Sequence, residues 1–232
     1  TPRHLDGFHQ LTPEEADSAL LLYRARLQAL HRNHAGWEAH LFRNQGRDAG
    51  TSRSHPHAQL VGLPAPTPGR RELESRLHRA EREDGSCRVC VEATAAGAGE
   101  RAVLRTQDFS VSTLYAPLDP FHLRIFPLRH GPSLAGAEYR ETAALAELLR
   151  RLAGALEAAA PGVAWNLLCH DHGPAPHPAL HWHMELRPRV GRTAGFELMT
   201  RVGVSPSDPV ADAARLRTLL ASHEPNPAAP NP

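Results

Sequence analysis

The order helix, strand, polar loop, His-x-His strand occurs twice along this chain, ending first at His55-x-His57-x-Gln59 and again at His181-x-His183-x-Glu185. An internal duplication restricts the fold to two related units built from the same elements. The boundary is expected at the proline-rich run Pro64-Ala65-Pro66-Thr67-Pro68-Gly69, which makes residues 1–69 a partial first copy and 70–222 the second. Residues 223–232, poor in anything that could form a core, are expected to be a disordered tail. The first copy lacks the front strands of the second and the sequence opens at Thr1. Part of the first copy is therefore expected to be missing or supplied by a separate N-terminal polypeptide.

Periodicity supplies the elements. Pro13 to His31 has Thr12 as N-cap, acids in its first turn and apolar residues at Ala16, Leu20, Leu27 and Leu30, the pattern of a helix. Trp37 to Phe42 reads as a strand, Asn44 to Ser52 as a loop, Ala58 to Leu63 as a second strand, and Arg70 to Glu83 as a charged helix. Ala102–Thr106, Phe109–Tyr115 and His122–Phe126 read as a meander, followed by a helix over Ala137–Ala159 and a strand over Val163–Cys169. Ala179 to Leu186 alternates as a strand, and Asp208-Pro209 starts a last helix that runs to about Ala221. The sum is an α+β fold.

Hydrophobic residues make up 41% of the chain and charged residues 22%, with a net charge of +1, so nothing points to nucleic acid or an anionic membrane as partner. No apolar run approaches the roughly 20 residues of a spanning helix, and the first residues lack the apolar core of a secretion signal. A cytoplasmic protein acting on small molecules is expected. All 26 basic residues other than histidine are arginines, which excludes lysine chemistry. The chain has 16 histidines and 3 cysteines, too few and too odd a number of cysteines for a disulfide scaffold.

His55-Pro56-His57-Ala58-Gln59 opens a strand, where residues two apart share a face. A histidine whose far nitrogen is held by a carbonyl presents its other nitrogen as a nucleophile without a separate base. The alternative is a merely histidine-rich surface loop. Upstream, Asn44-x-Gly46-x-x-x-Gly50-x-Ser52 offers a carboxamide, a hydroxyl and close-approaching backbone amides, either a phosphate cradle or an ordinary glycine-containing hairpin loop. Cys87-x-x-Cys90 has the spacing of tetrahedral zinc sites, with a redox pair as alternative; no thioredoxin-like helix start is expected around it. His181 and His183 can equally be core histidines pairing with Glu185, and Cys169 reads as a small buried hydrophobe.

The run Phe42-Arg43-Asn44-Gln45-Gly46 to Ala49-Gly50-Thr51-Ser52, followed by His55-Pro56-His57-Ala58-Gln59, resembles the galactose-1-phosphate uridylyltransferase family of the histidine-triad superfamily. Leu180-His181-Trp182-His183-Met184-Glu185-Leu186-Arg187-Pro188-Arg189 with Ala194-Gly195-Phe196-Glu197 is similar to that family's last strand and substrate loop, and Thr1-Pro2-Arg3-His4 to its metal-histidine segment. The resemblance implies a duplicated histidine-triad-like fold, a mostly antiparallel sheet with flanking helices. It also implies that His57 attacks the α-phosphorus of a nucleotide sugar, that Gln59 binds a non-bridging phosphoryl oxygen, and that Asn44, Gly50 and Ser52 hold phosphates while Phe196 and Glu197 belong to the substrate-binding loop. A sugar 1-phosphate then takes the nucleotide in a ping-pong reaction.

For metals the resemblance implies zinc on Cys87, Cys90, His130 and His181, and a first site with His4 and His55 whose cysteines would lie upstream. Another branch implies iron on Glu74, His172, His181 and His183. It further implies a homodimer. UMP transfer from UDP-glucose to galactose 1-phosphate in galactose metabolism is the leading expectation. An ADP-sugar phosphorylase, and a non-catalytic nucleotide-binding or split subunit, are the alternatives.

Overall fold

The computed structural model describes residues 3–4, 7–51, 53, 55–191 and 194–222. Ser52 of the expected cradle, Thr1 and Pro2 of the metal-histidine segment and the tail 223–232 lie outside the described residues. The helices are α1 (Pro13–Asn33), α2 (Pro68–Asp84), α3 (Arg88–Ala96), α4 (Tyr139–Ala159), α5 (Gly195–Thr200) and α6 (Pro209–Ser222). The strands are β1 (Glu38–Gln45), β2 (Ala58–Leu63), β3 (Ala102–Arg105), β4 (Phe109–Thr113), β5 (Leu123–Pro127), β6 (Trp165–His170) and β7 (His183–Pro188).

These strands form one sheet in the order β2-β1-β6-β7-β5-β4-β3, antiparallel at every pairing. Strands from residues 1–69 and from 70–222 thus share one hydrogen-bonded sheet, joined where β1 meets β6. The fold is α+β, as the sequence predicts.

One face of the sheet is dry. Leu41, Val111, Leu123, Ile125, Leu167, Met184 and Leu186 alternate onto it and pack with α1, α4 and α6. Helix α4 contributes Leu145, Leu149, Leu152 and Leu156, an i, i+4, i+7, i+11 stripe that stays fully buried. Helix α1 starts at a capping box in which the Thr12 hydroxyl accepts from Glu15 N at 3.2 Å and the Glu15 carboxylate accepts from Thr12 N at 2.9 Å. Its buried residues are Ala16, Leu20 and Leu27. The opposite face carries α2 and α3 over its central part, with Leu77, Val89, Ala93, Phe126 and Leu180 in a second apolar cluster.

Three local expectations are corrected. Asn44 and Gln45 belong to β1 rather than to the following loop, because β6 pairs with them through Asn166 and Trp165. β7 starts at His183, not at Ala179: Leu180 N donates to His177 O and Trp182 N to Gly131 O, so this stretch spends its backbone hydrogen bonds outside the sheet. Cys87 is the N-cap of a helix, α3, although no thioredoxin-like helix start is expected around the cysteine pair; Val89, Ala93 and Ala96 give it a buried face.

Candidate active site and metal centre

Side chains at even positions of β1 and β6 and odd positions of β2 and β7 share the face opposite the main core, because Phe42 pairs with Gln59, Asn44 with Asn166, and Leu168 with Glu185. One step beyond the Arg43–Ala58 pair brings Asn44 opposite His57. Nδ1 of His57 lies 2.9 Å from the carbonyl oxygen of His55. A carbonyl only accepts, so Nδ1 carries the proton, and in the neutral ring this is the tautomer that leaves the lone pair on Nε2, as a nucleophilic imidazole requires.

The loop after β1 is tied down by a residue that sequence reasoning missed. Asn166 Nδ2 donates to Asn44 Oδ1 at 2.8 Å and to Ala49 O at 2.9 Å. Asn44 therefore turns its amide hydrogens the other way, where a Cβ on Gly50 would stand 4.0 Å from Nδ2. Gly50 has φ +86°, a conformation that side chains rarely adopt. Gly46 is also at positive φ, +81°, and a Cβ there would meet Ala164 Cβ at 2.8 Å. The loop is built around its glycines. An isolated asparagine within the apolar run of β6 was the available signal for Asn166.

A cleft of about 800 Å³ lies between α1 and the edge strand β2, lined by His57, Gln59, Tyr23 and Arg43 among others. Arg43 was also missed. It is buried, with its guanidinium 5.2 Å from the Phe8 ring centre and 5.8 Å from that of Trp165, and Nη2 donates to Gln45 Oε1 at 2.8 Å. Burial pushes its pKa down, opposed by the neighbouring Tyr23, whose own pKa burial raises. A cation held this way has aromatic faces for company, and its Nε has no hydrogen-bond partner.

His4 and His55 come together, Nδ1 to Nδ1 at 3.5 Å with edge-on rings 4.7 Å apart. Phe196 and Glu197 do not join His57 within the chain. They sit on α5, where Glu197 accepts from Ala194 N and lines a separate cleft with Asp119, Arg187, Arg189 and Arg201.

Cys87, Cys90, His130 and His181 each place one donor atom within 4.8 Å of the other three. Cys90 Sγ lies 3.3 Å from His130 Nδ1 and 3.2 Å from His181 Nδ1. Burial, then the adjoining Cys87, pushes the Cys90 thiol up to about 12, and burial, then His130, pushes His181 down to about 4. Two thiols and two imidazoles facing one another are a donor set for a cation, and S₂N₂ donors suit a tetrahedral metal. The residues fit such an ion. The iron alternative is not assembled: Glu74 pairs with His172 at 3.2 Å, His181 stands with the cysteines, and His183 faces His170 and Glu185. Because His181 precedes β7 while His183 lies on it, the two side chains serve different clusters.

Comparison with known proteins follows the same lines. No family model matches the chain. An ADP-glucose phosphorylase of Arabidopsis thaliana is 23% identical over 226 residues, 94% of this chain and 62% of that protein. A galactose-1-phosphate uridylyltransferase of Thermotoga maritima is 28% identical over 111 residues, 47% of this chain and 34% of that protein. The chain thus spans less than two thirds of either relative. A solved uridylyltransferase structure superposes with a TM-score of 0.89 at 24% identity, over 96% of this chain and 73% of that one. The Arabidopsis phosphorylase, solved with bound ADP-glucose, superposes with a TM-score of 0.83 at 23% identity, over 94% and 70%. The chain is thus a homologue of galactose-1-phosphate uridylyltransferase-like proteins and ADP-glucose phosphorylase, and it shares the uridylyltransferase fold over nearly its whole length.

Proposed function

We propose that this chain is a nucleotidyltransferase working on nucleotide sugars through a nucleotidyl-histidine intermediate at His57. The observation that carries the reading is the Nδ1 hydrogen bond of His57 to the His55 carbonyl, which leaves Nε2 free to attack. In the first half-reaction Nε2 forms a bond to the α-phosphorus, the bond from that phosphorus to the bridging oxygen breaks, and a sugar 1-phosphate leaves. In the second, an incoming phosphate oxygen takes the nucleotidyl group and Nε2 regains its lone pair. Gln59 and Asn44 donate amide hydrogens to phosphoryl oxygens, and the glycines of the 46–50 loop let the phosphates approach the backbone. Ser52 is assigned to the same cradle, and Phe196 with Glu197 to the sugar. Cys87, Cys90, His130 and His181 would hold zinc, which would tie α3 to the segment entering β7, and His4 and His55 would supply half of a second such site.

UDP-glucose as donor and galactose 1-phosphate as acceptor is the first substrate reading. ADP-glucose with inorganic phosphate as acceptor is the second, favoured by the match to the Arabidopsis phosphorylase over 94% of the chain. We place the protein in the cytoplasm; among the described residues no helix is long and apolar enough to cross a membrane. We also assign it a homodimer, supported by the exposed Phe196, Leu198, Met199, Val202 and Val204.

Incubation of the chain with UDP-glucose and, separately, with ADP-glucose, followed by intact-protein mass spectrometry, tests the reading. The mass added names the nucleotide. A folded chain that binds nucleotide but takes up neither group is instead a non-catalytic nucleotide-binding or split subunit.

A further inference from the structure

The second His-x-His element holds a cluster that the proposed reaction leaves unused. His170 on β6 and His183 on β7 are direct cross-strand partners, and Leu168 pairs with Glu185. In the first copy Phe42 pairs with Gln59 and Arg43 with Ala58, which sets Asn44 opposite His57. Residue for residue, His170, His183 and Glu185 therefore stand where Asn44, His57 and Gln59 stand. The tether is repeated as well, though longer: His183 Nδ1 is 3.4 Å from His181 O, where His57 Nδ1 is 2.9 Å from His55 O.

The chemistry has changed sign between the copies. Two carboxamides suited to phosphate oxygens are replaced by an imidazole and a carboxylate, and a carboxylate repels phosphate while attracting a cation. One donor atom from each of His170, His183 and Glu185 lies within 4.8 Å of the other two. The two rings stack at 4.5 Å with planes 10° apart, and His170 Nε2 is buried without a hydrogen-bond partner. Arg124 donates to Glu185 Oε1 at 2.7 and 3.1 Å, fixing the carboxylate as outer partners of metal ligands do, and Glu92 at 2.9 Å offsets the charge of Arg124. A cavity of about 490 Å³ between the sheet and α2 gives access.

We propose that His170, His183 and Glu185 bind a divalent transition-metal ion through two nitrogens and one oxygen, at a site separate from the cysteine-histidine cluster. The site does not depend on the reaction assigned to His57. It replaces a phosphate-facing constellation with a cation-facing one.

The test is titration of the metal-stripped full chain with Co(II), read by absorption and by metal analysis after gel filtration. Cobalt on Cys87 and Cys90 gives thiolate charge-transfer absorption; cobalt on the proposed site adds about one further equivalent with only weak ligand-field bands. His170→Asn, chosen because this side chain is partly exposed, loses that equivalent and keeps the charge-transfer band; Glu185→Gln does the same. A Cys87→Ser/Cys90→Ser chain retains it. Equal cobalt content in the wild type and a folded His170→Asn chain overturns the proposal, whatever the other variants do.

Discussion

Asn166 and Asn44 face each other across β6 and β1, with Nδ2 of the first 2.8 Å from Oδ1 of the second, and the same Nδ2 also reaches Ala49 O at 2.9 Å. One side chain thus fixes both the rotamer of the expected phosphate donor and the loop that follows it. Asn166→Ala leaves Asn44 Oδ1 and the Ala49 carbonyl without this donor. We expect a loss of about 1–3 kcal/mol in urea unfolding. We also expect slower nucleotidylation, by about tenfold, at unchanged stoichiometry. An unaltered loading rate in the folded variant would detach Asn44 from phosphate binding.

His57→Asn keeps a side chain able to hydrogen-bond the His55 carbonyl but removes the nucleophilic nitrogen. Turnover is expected to fall on the order of 10⁴-fold or more, with no adduct by intact mass. Far-UV circular dichroism should not change, because His57 lies outside both apolar clusters. Adduct formation by this variant would move the nucleophile elsewhere.

The cysteine-histidine cluster links α3 to the residues entering β7, so removing its ion should loosen the second apolar cluster around Leu77, Val89 and Phe126. Chelation is expected to lower the unfolding free energy by at least about 3 kcal/mol, given a ligand present at a hundred times its dissociation constant. The same loss should appear in Cys87→Ser/Cys90→Ser without chelator. Denaturant midpoints with and without chelator measure both. A midpoint indifferent to chelator, in protein shown by metal analysis to start loaded, would rule out a structural metal.

Much of this was legible in the chain, and what was not has a common cause. β2 falls on Ala58–Leu63 as predicted, because alternation and the flanking prolines bound it on both sides. The four residues Cys87, Cys90, His130 and His181 converge as the resemblance implied. Arg43 and Asn166 escaped because each is a polar residue in a strand whose purpose is set by partners far away in sequence: Phe8, Trp165 and Tyr23 for one, Asn44 and Ala49 for the other. Nine-residue α3 is too short for periodicity to mark it, since its buried stripe is only Val89, Ala93 and Ala96. Local alternation placed Ala179–Trp182 in a strand; hydrogen bonds to His177 and Gly131 took it out.

Acid should destabilise the protein through His172, a consequence of where its imidazole sits. The ring is buried and Nδ1 stands 3.2 Å from Glu74 Oε1; burial, then the positive charge of Arg70, pushes its pKa down to about 4 despite the carboxylate. A histidine kept neutral in the fold binds its proton more readily when unfolded. Its contribution is therefore complete above the unfolded value of 6.5, declines as pH falls from 6.5 towards 4, and levels off below. The span corresponds to about 3 kcal/mol. Glu74, held below the ordinary carboxylate range by the hydrogen bonds of Arg70 and His172 against its desolvation, loses its own contribution only below about 4.5, so the two groups act in successive windows. His172→Gln retains a donor for Glu74 without the titration. Urea unfolding across this range should show a stability slope between 6.5 and 4.5 that is shallower in the variant than in the wild type, the remainder coming from His181 and His183, which burial also lowers; equal slopes in the two proteins would assign the acid sensitivity to other groups.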